Sequence, residues 1–512
     1  MAKKEYFRHL LPYRFDNFSG INTKTDRTLI EDNQARSLLN IDFKNVGEIS
    51  KRPGYAKWGS AIAGISGITS LYSYEYDAGV SKKIIASGGT SMYVYNTTTS
   101  SWDVLDTGYT TGLKFEFLTF KDYCIWVNGT DVAKKYDGTT VSSLGGTPPV
   151  CKYIALHKNY VFMAGNTSYP SRLWYSKLDD HETWYPTSGA GFFDVNPDDN
   201  DHIVGLSVLK DSLVIFKTNN IYILYGDSPT YTEGLTLWRI KKTSASSGSV
   251  NSKCVKQIAD NLFYFSDING ISKLFNDDST DSTFMKDTIM SYSIIPDIKT
   301  LNRSRLSQAE ALYWDYKYIL SIPNGSSTTN NYNLVFDGIK NEWSFWNIPA
   351  NCWTKYNTGT TEIVLFGSTT TGQVYYITPN IYSDDGTAIT AYYKTKDICK
   401  INEDDMPAND KIYEYFYLTK NQDSNFTATV KYYLDLSSTA EATESVGSVT
   451  SSSLWGTMVW GTDKWGEATT TSSKKRMNSR GKYISFEFYN ATLGEDMRIR
   501  NLSLFYKPRG LR

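Results

Sequence analysis

The chain has little of what most enzymes depend on. Four histidines (His9, His157, His181, His202) are its whole supply of side chains that titrate near neutrality in 512 residues. No HExxH, nucleophile elbow, Walker loop or GxGxxG occurs, so the common signatures of zinc proteases, serine hydrolases, NTPases and dinucleotide enzymes are missing. The five cysteines (Cys124, Cys151, Cys254, Cys352, Cys399) are odd in number, scattered and never spaced CxxC. That argues against a disulfide framework or zinc site and suits buried thiols in a reducing compartment. No run of about 18 apolar residues suggests a membrane-spanning helix. Residues 1–15 are basic but lead into no apolar stretch, so no secretory signal is expected. The glycosylation-like sites at Asn96 and Asn166 then read as chance matches in a Thr-rich chain. A formal charge of −1 gives no broad basic field for gripping nucleic acid.

Aromatic residues, by contrast, are abundant: 15% of the chain, with 39 Tyr and 13 Trp. Such residues suit a pleated, half-buried surface, and the expectation is an all-β protein. Short strand-like runs alternate with Gly, Asn, Asp, Ser and Thr turns and recur as a hairpin unit. Examples are Lys83-Ile84-Ile85-Ala86-Ser87 with Ser91-Met92-Tyr93-Val94-Tyr95, and Tyr123-Cys124-Ile125-Trp126-Val127 with Val132-Ala133-Lys134-Lys135-Tyr136. Repetition at roughly 40–55 residues predicts a β-propeller of six or seven blades over residues 56–384, closed by pairing its first and last segments. Within it, Ile289, Ile294 and Ile295 read as a short helix ended by Pro296. Beyond residue 384 the rhythm changes to six strand candidates (389–394, 413–419, 426–434, 454–460, 482–489, 502–506), which predict a separate β-sandwich over 385–512. Ile484, Phe486 and Phe488 alternate with Tyr483, Ser485 and Glu487, the mark of a strand with one buried face.

Candidate sites are few. Asp194, Asn196, Asp198 and Asn200 alternate like calcium-loop ligands, but Asp199 stands where such a loop needs glycine and Gly205 where it needs glutamate. The expectation is therefore a solvated loop and no resident metal or other cofactor. Lys474, Lys475, Arg476, Arg480 and Lys482 form a basic stretch read either as a contact for DNA or an acidic partner, or as a solvated loop. A carboxylate pair for glycoside hydrolysis is a spatial arrangement that sequence cannot reveal. The recurring aromatics read as filling between repeats.

One stretch is more distinctive. Phe18-Ser19-Gly20-Ile21-Asn22 leads through Ala35, Asn40 and Asp42 to Gly47-Glu48-Ile49 and Arg52-Pro53-Gly54-Tyr55. Near the other end, Trp460 and Trp465-Gly466 precede Arg480-Gly481-Lys482-Tyr483-Ile484-Ser485-Phe486 and a last strand at 502–506. Together these resemble the tail-hub, or nozzle, proteins of tailed bacteriophages (packaged-DNA stabilization protein, tail tubular protein B). The resemblance implies a non-enzymatic virion component made in the host cytoplasm. It would form a viral-tail ring, usually a homohexamer, at the head-tail connection below the adaptor and portal. It would extend the conduit for double-stranded DNA, retain the genome until ejection and dock fibres or spikes, without inserting into a membrane. Residues 1–55 would then pack on the propeller, with Gly20, Gly47 and Gly54 supplying turn conformations and Arg52 an intersubunit pair. The competing expectation is a carbohydrate-binding or carbohydrate-cleaving propeller at the host surface.

Overall fold

The computed structural model describes residues 10–230, 233–277, 283–399, 409–421, 426–447 and 470–509. The expected strand at 454–460, the tryptophans Trp460 and Trp465, and His9 lie outside them. The fold is almost wholly β. Close contacts divide the chain into two compact units: residues 57–339 with 348–377, and residues 1–56 with 340–347 and 378–512.

The larger unit contains five four-stranded antiparallel sheets, each built from consecutive strands. They begin at Ser70–Tyr76, Glu116–Phe120, Tyr153–His157, Ile203–Leu209 and Lys256–Ile258. Two further strand groups start at Glu310–Trp314 and Ala350–Asn357. Central strands such as Ser212–Lys217 and Lys317–Ile322 are buried along their whole length. Apolar side chains fill the spaces between neighbouring sheets. Phe162 and Leu173 meet Leu213 and Ile215, for instance, while Ile68 and Leu71 share a cluster with Cys352 and Leu365.

These sheets correct the expected propeller. Each is open, none closes on itself, and strand order joins no one of the five to the next. The hairpin rhythm specifies each sheet locally, because a two-residue turn and an alternating strand are local properties. It carries no comparable code for closure.

Several hairpins turn on residues with positive φ. Lys121-Asp122, Lys158-Asn159 and Asp315-Tyr316 each lie between paired strands with φ from 47° to 60° at both positions. This is the two-residue turn whose twist matches the flanking strands, and it strongly favours glycine at its second position. Tyr316 is a bulky, exposed residue there. Tyr316→Gly, which leaves Asp315 to begin the turn, is expected to raise stability by about 1 kcal/mol; an unchanged or lower denaturation midpoint would refute it.

The expected helix around Ile294 is present but placed differently. Tyr292–Ile294 forms a 3-10 turn and Ile295–Ile298 a single α-helical turn, while Ile289 ends the strand Met285–Ile289. Pro296 sits in the first helical turn, where its missing N–H costs nothing, so it starts the helix rather than ending it.

The smaller unit consists chiefly of two antiparallel sheets. One orders Ile41–Asp42, Ile49–Lys51, Arg498–Pro508, Lys411–Asn421 and Thr470–Gly481, with Leu11–Phe15 also paired to Arg498–Pro508. The other orders Ala35–Leu39, Ala391–Thr395, Ile484–Asn490, Ala428–Leu434 and Ala442–Val446. Phe15 and Phe416 of the first contact Phe486 of the second at ring-centroid separations of 5.3 and 5.8 Å. Ile484, Phe486 and Phe488 are all buried, as their alternation predicts.

The N-terminal residues are thus structural strands of this unit. A self-contained sandwich over 385–512 is corrected accordingly, because its sheets need strands from residues 11–51. The glycine roles also differ from expectation. Gly47 does adopt φ 73°. Gly20 and Gly54 are required for space: a Cβ at Gly20 would lie 2.7 Å from the Trp343 backbone nitrogen, and one at Gly54 would overlap the Ser383 carbonyl.

Candidate functional site

In the larger unit, the starts of several first strands bring charged groups together. Lys114 precedes Glu116–Phe120, and Glu310 opens its own strand. Lys114 Nζ donates to Glu310 Oε2 at 3.0 Å and to the carbonyls of Gln308 at 3.0 Å and Asn351 at 2.6 Å. The other Glu310 oxygen accepts from the Trp353 N–H at 3.0 Å. Glu310 is buried, and burial alone would raise its pKa. Lys114, Lys253 and the Trp353 N–H more than offset that, so it is held below the ordinary carboxylate range.

A 3-10 turn, Ser252–Cys254, supplies the other half of the cluster. Asn251 caps it by accepting from the Cys254 N–H at 2.9 Å, and its amide donates to the Ala309 carbonyl at 3.0 Å. The Ser252 hydroxyl donates to Glu116. Gly205 makes this seating possible, since a Cβ there would come within 2.9 Å of the Ser252 Cα. The turn and the strand after it carry Lys253 and Lys256, both half-buried. Burial pulls the Lys253 ammonium down, but Glu116 and Glu310 together hold it above its ordinary value. At Lys256 burial prevails over the attraction of Glu310 and lowers it.

The cluster holds little reactive chemistry. Cys254 and Cys352 border it, and burial raises the Cys254 thiol to about 12 and the Cys352 thiol further still. Cys124 and Cys151 are raised by burial as well. His157 and His181 are buried elsewhere; His157 Nε2 and both His181 ring nitrogens meet no partner among the described residues. His202 stands just before Ile203–Leu209, its Nε2 3.4 Å from the Thr218 hydroxyl.

Burial, reinforced by the neighbouring Lys158 cation, lowers His157 to about 4. The folded protein therefore keeps this ring neutral, while the unfolded chain protonates it below its ordinary value of about 6.5. The stability linked to His157 is fully present above about pH 6.5 and declines as pH falls from there toward 4. His157→Gln should flatten the fall of Tm over that window; an identical slope in the variant would remove His157 as its source.

The calcium-like run folds around a cation supplied by the protein. Asp194 makes a bidentate pair with Arg172, at 2.7 and 2.9 Å. Asp198 lies in the 3-10 turn Pro197–Asp199, which Asn196 and Asn200 flank in left-handed conformation. Lys217, whose side chain is wholly buried, donates to Asp199 Oδ1 at 2.6 Å and to the Asn196 carbonyl at 3.0 Å. Asp194, Asn196, Asp198 and Asn200 are all exposed to solvent, and the Lys217 ammonium holds the inner side of the loop. Among the described residues no group of three or more His, Cys, Asp or Glu is placed to hold a metal.

In the smaller unit the basic stretch is a strand, not a loop. Thr470–Gly481 pairs with Lys411–Asn421. Lys474 lies over the Tyr415 ring at 3.7 Å, Lys475 is 3.6 Å from Glu444, Arg480 pairs with Asp410, and Arg476 is exposed. The Lys482 backbone N–H is bound to Asp435.

Arg52 is corrected more sharply. It is completely buried, and all five of its N–H donors have acceptors within its own unit. Nε donates to Asn40 Oδ1 at 2.8 Å. Nη1 reaches the Pro53 carbonyl and Asp384 Oδ1, both at 2.9 Å. Nη2 reaches Asn347 Oδ1 at 3.1 Å and Asp384 Oδ2 at 2.6 Å. It has no donor left for another subunit.

No protein-family description matches the chain, and no curated protein does. Among solved structures it is similar to Kluyveromyces lactis Hsv2, at 12% identity and a TM-score of 0.32, covering 66% of this chain and 95% of that one. A likeness that weak carries no functional argument. With neither a phage relative nor the expected propeller to support it, the tail-hub role is withdrawn, and the carbohydrate-active propeller with it.

Proposed function

We propose that the chain is a non-enzymatic binding scaffold. The observation that carries this reading is the state of the groups gathered in the larger unit. Glu310 is fixed as a paired carboxylate, and the thiols beside it are held protonated, far from nucleophilic form. A general acid or base would need a pKa poised near the working pH, and a nucleophile would need an activating base. These groups instead form a fixed arrangement of charge, suited to holding loops and ligands in place. Its partners, including further copies of itself, would be recognised through surfaces rather than transformed. The test is a panel of ester, glycoside, phosphomonoester and peptide substrates, run beside light scattering for self-association. No turnover above buffer is expected with any of them. Turnover that disappears in Glu310→Gln would overturn the reading.

A further inference from the structure

We infer that Lys253 and Lys256, beside the Lys114–Glu310 ion pair, form a binding site for a small oxyanion of the phosphate type inside the larger unit. Cations outnumber carboxylates in this interior. Three lysines share this interior with two carboxylates, Glu116 and Glu310, and the carboxylates are already engaged. Glu310 is held by Lys114 and the Trp353 N–H, and Glu116 accepts from Ser252. Lys114 is itself saturated, with three acceptors for its three donors.

The Lys253 and Lys256 ammonium groups remain. Among the described residues neither has a hydrogen-bonding or ion-pairing partner at contact distance, although both feel Glu310 at longer range. Each has up to three donors to place, and at Lys256 burial outweighs the attraction of the carboxylates. Both are half-buried rather than sealed, so a small solute can reach them. The backbone beneath them is fixed: Asn251 ties the turn to the Ala309 carbonyl, and Gly205 lets the neighbouring strand abut Ser252. Two lysines three residues apart, one on the turn and one opening the strand after it, beside a third held in an ion pair, form a cationic pair.

An oxyanion suits this pair better than a metal or an apolar ligand. Lysine ammonium groups act as point charges toward phosphate oxygens, and each can supply more than one charge-assisted hydrogen bond. The ligand would supply acceptors that the protein lacks there, and would balance the third lysine. Nothing in this inference depends on the absence of catalysis. Failure of binding and discovery of turnover would therefore be separate results.

The experiment uses the full chain and compares inorganic phosphate, glycerol 3-phosphate and sodium chloride at matched ionic strength. Calorimetric titration and thermal unfolding are the readouts. Inorganic phosphate is expected to bind saturably and to raise Tm by roughly 2–4 °C near saturation. Lys253→Met with Lys256→Met should abolish both responses, while Lys299→Met, at an exposed lysine of the same unit, should leave them intact. Binding of free phosphate alone would identify an inorganic ion as ligand. Tighter binding of glycerol 3-phosphate would identify a phosphoryl group carried on a larger molecule. Should the double variant fail to fold, a tungstate-soaked crystal of the unaltered chain decides the matter. Anomalous density between Lys253 and Lys256 supports the site, and density only elsewhere overturns it. No response to phosphate beyond that to chloride also overturns it.

Discussion

Arg52→Met is expected to destabilise the smaller unit by about 3–5 kcal/mol, the usual penalty for removing one partner of a buried ion pair. The reason is what remains behind. Asp384 loses both of its bonds to the guanidinium, and the side-chain carbonyls of buried Asn40 and exposed Asn347 each lose a donor. Arg52→Lys is the more discriminating variant. It retains the positive charge, but one ammonium cannot reproduce a planar fork directed to four residues at once. A loss of at least about 2 kcal/mol is expected for lysine too, since buried acceptors of charged donors go unsatisfied. Chemical denaturation followed by tryptophan fluorescence would measure both. If lysine substituted without cost, charge alone would suffice and the geometric account of Arg52 would fail.

The second large effect belongs to Lys217→Met in the larger unit, again at about 3–5 kcal/mol. Its loss would leave Asp199 with only the Tyr222 hydroxyl and the Asn196 amide on one carboxylate oxygen and the Asp201 N–H on the other. The loop from Asp194 to Asp201 would lose the cation around which its oxygens turn. Calcium should leave the Tm of the unaltered chain unchanged, because Asp194 is already paired with Arg172, and Asp199 and the Asn196 carbonyl with Lys217. A calcium-dependent rise would show that the loop has a second arrangement in which Lys217 is displaced.

These two side chains also show which parts of the molecule were legible in sequence. The alternation of Ile484, Phe486 and Phe488 gave that strand and its buried face correctly, because strand periodicity is local. The hairpins were legible for the same reason. Arg52 was misread because its partners Asn347 and Asp384 lie about 300 residues away along the chain, and an isolated arginine looks available for a partner. The calcium-like run was recognised as unusual, but its actual cation, Lys217, has no place in a ligand-spacing pattern. The basic stretch at 474–482 looked like a loop because Lys and Arg dominate it, yet pairing with Lys411–Asn421 overrides that weak propensity. Lys253 and Lys256 gave no signal at all. Their significance comes from Glu116, Glu310 and Lys114, brought to them from the starts of other strands.

The pairing of Leu11–Phe15 with Arg498–Pro508 has a consequence for biosynthesis. At about 5–20 residues per second, the earlier strand leaves the ribosome on the order of 25–100 s before its partner exists. The larger unit, five of whose sheets are each built from consecutive strands, can form during that interval. The N-terminal strands cannot complete their sheets until residues 498–508 have been made, and they present unpaired edges in the meantime. Nascent chains stalled before residue 498 should therefore hold a protease-resistant larger unit alongside an N-terminal segment open to cleavage and to chaperone capture. The yield of folded protein would then depend on how well that segment is protected while it waits.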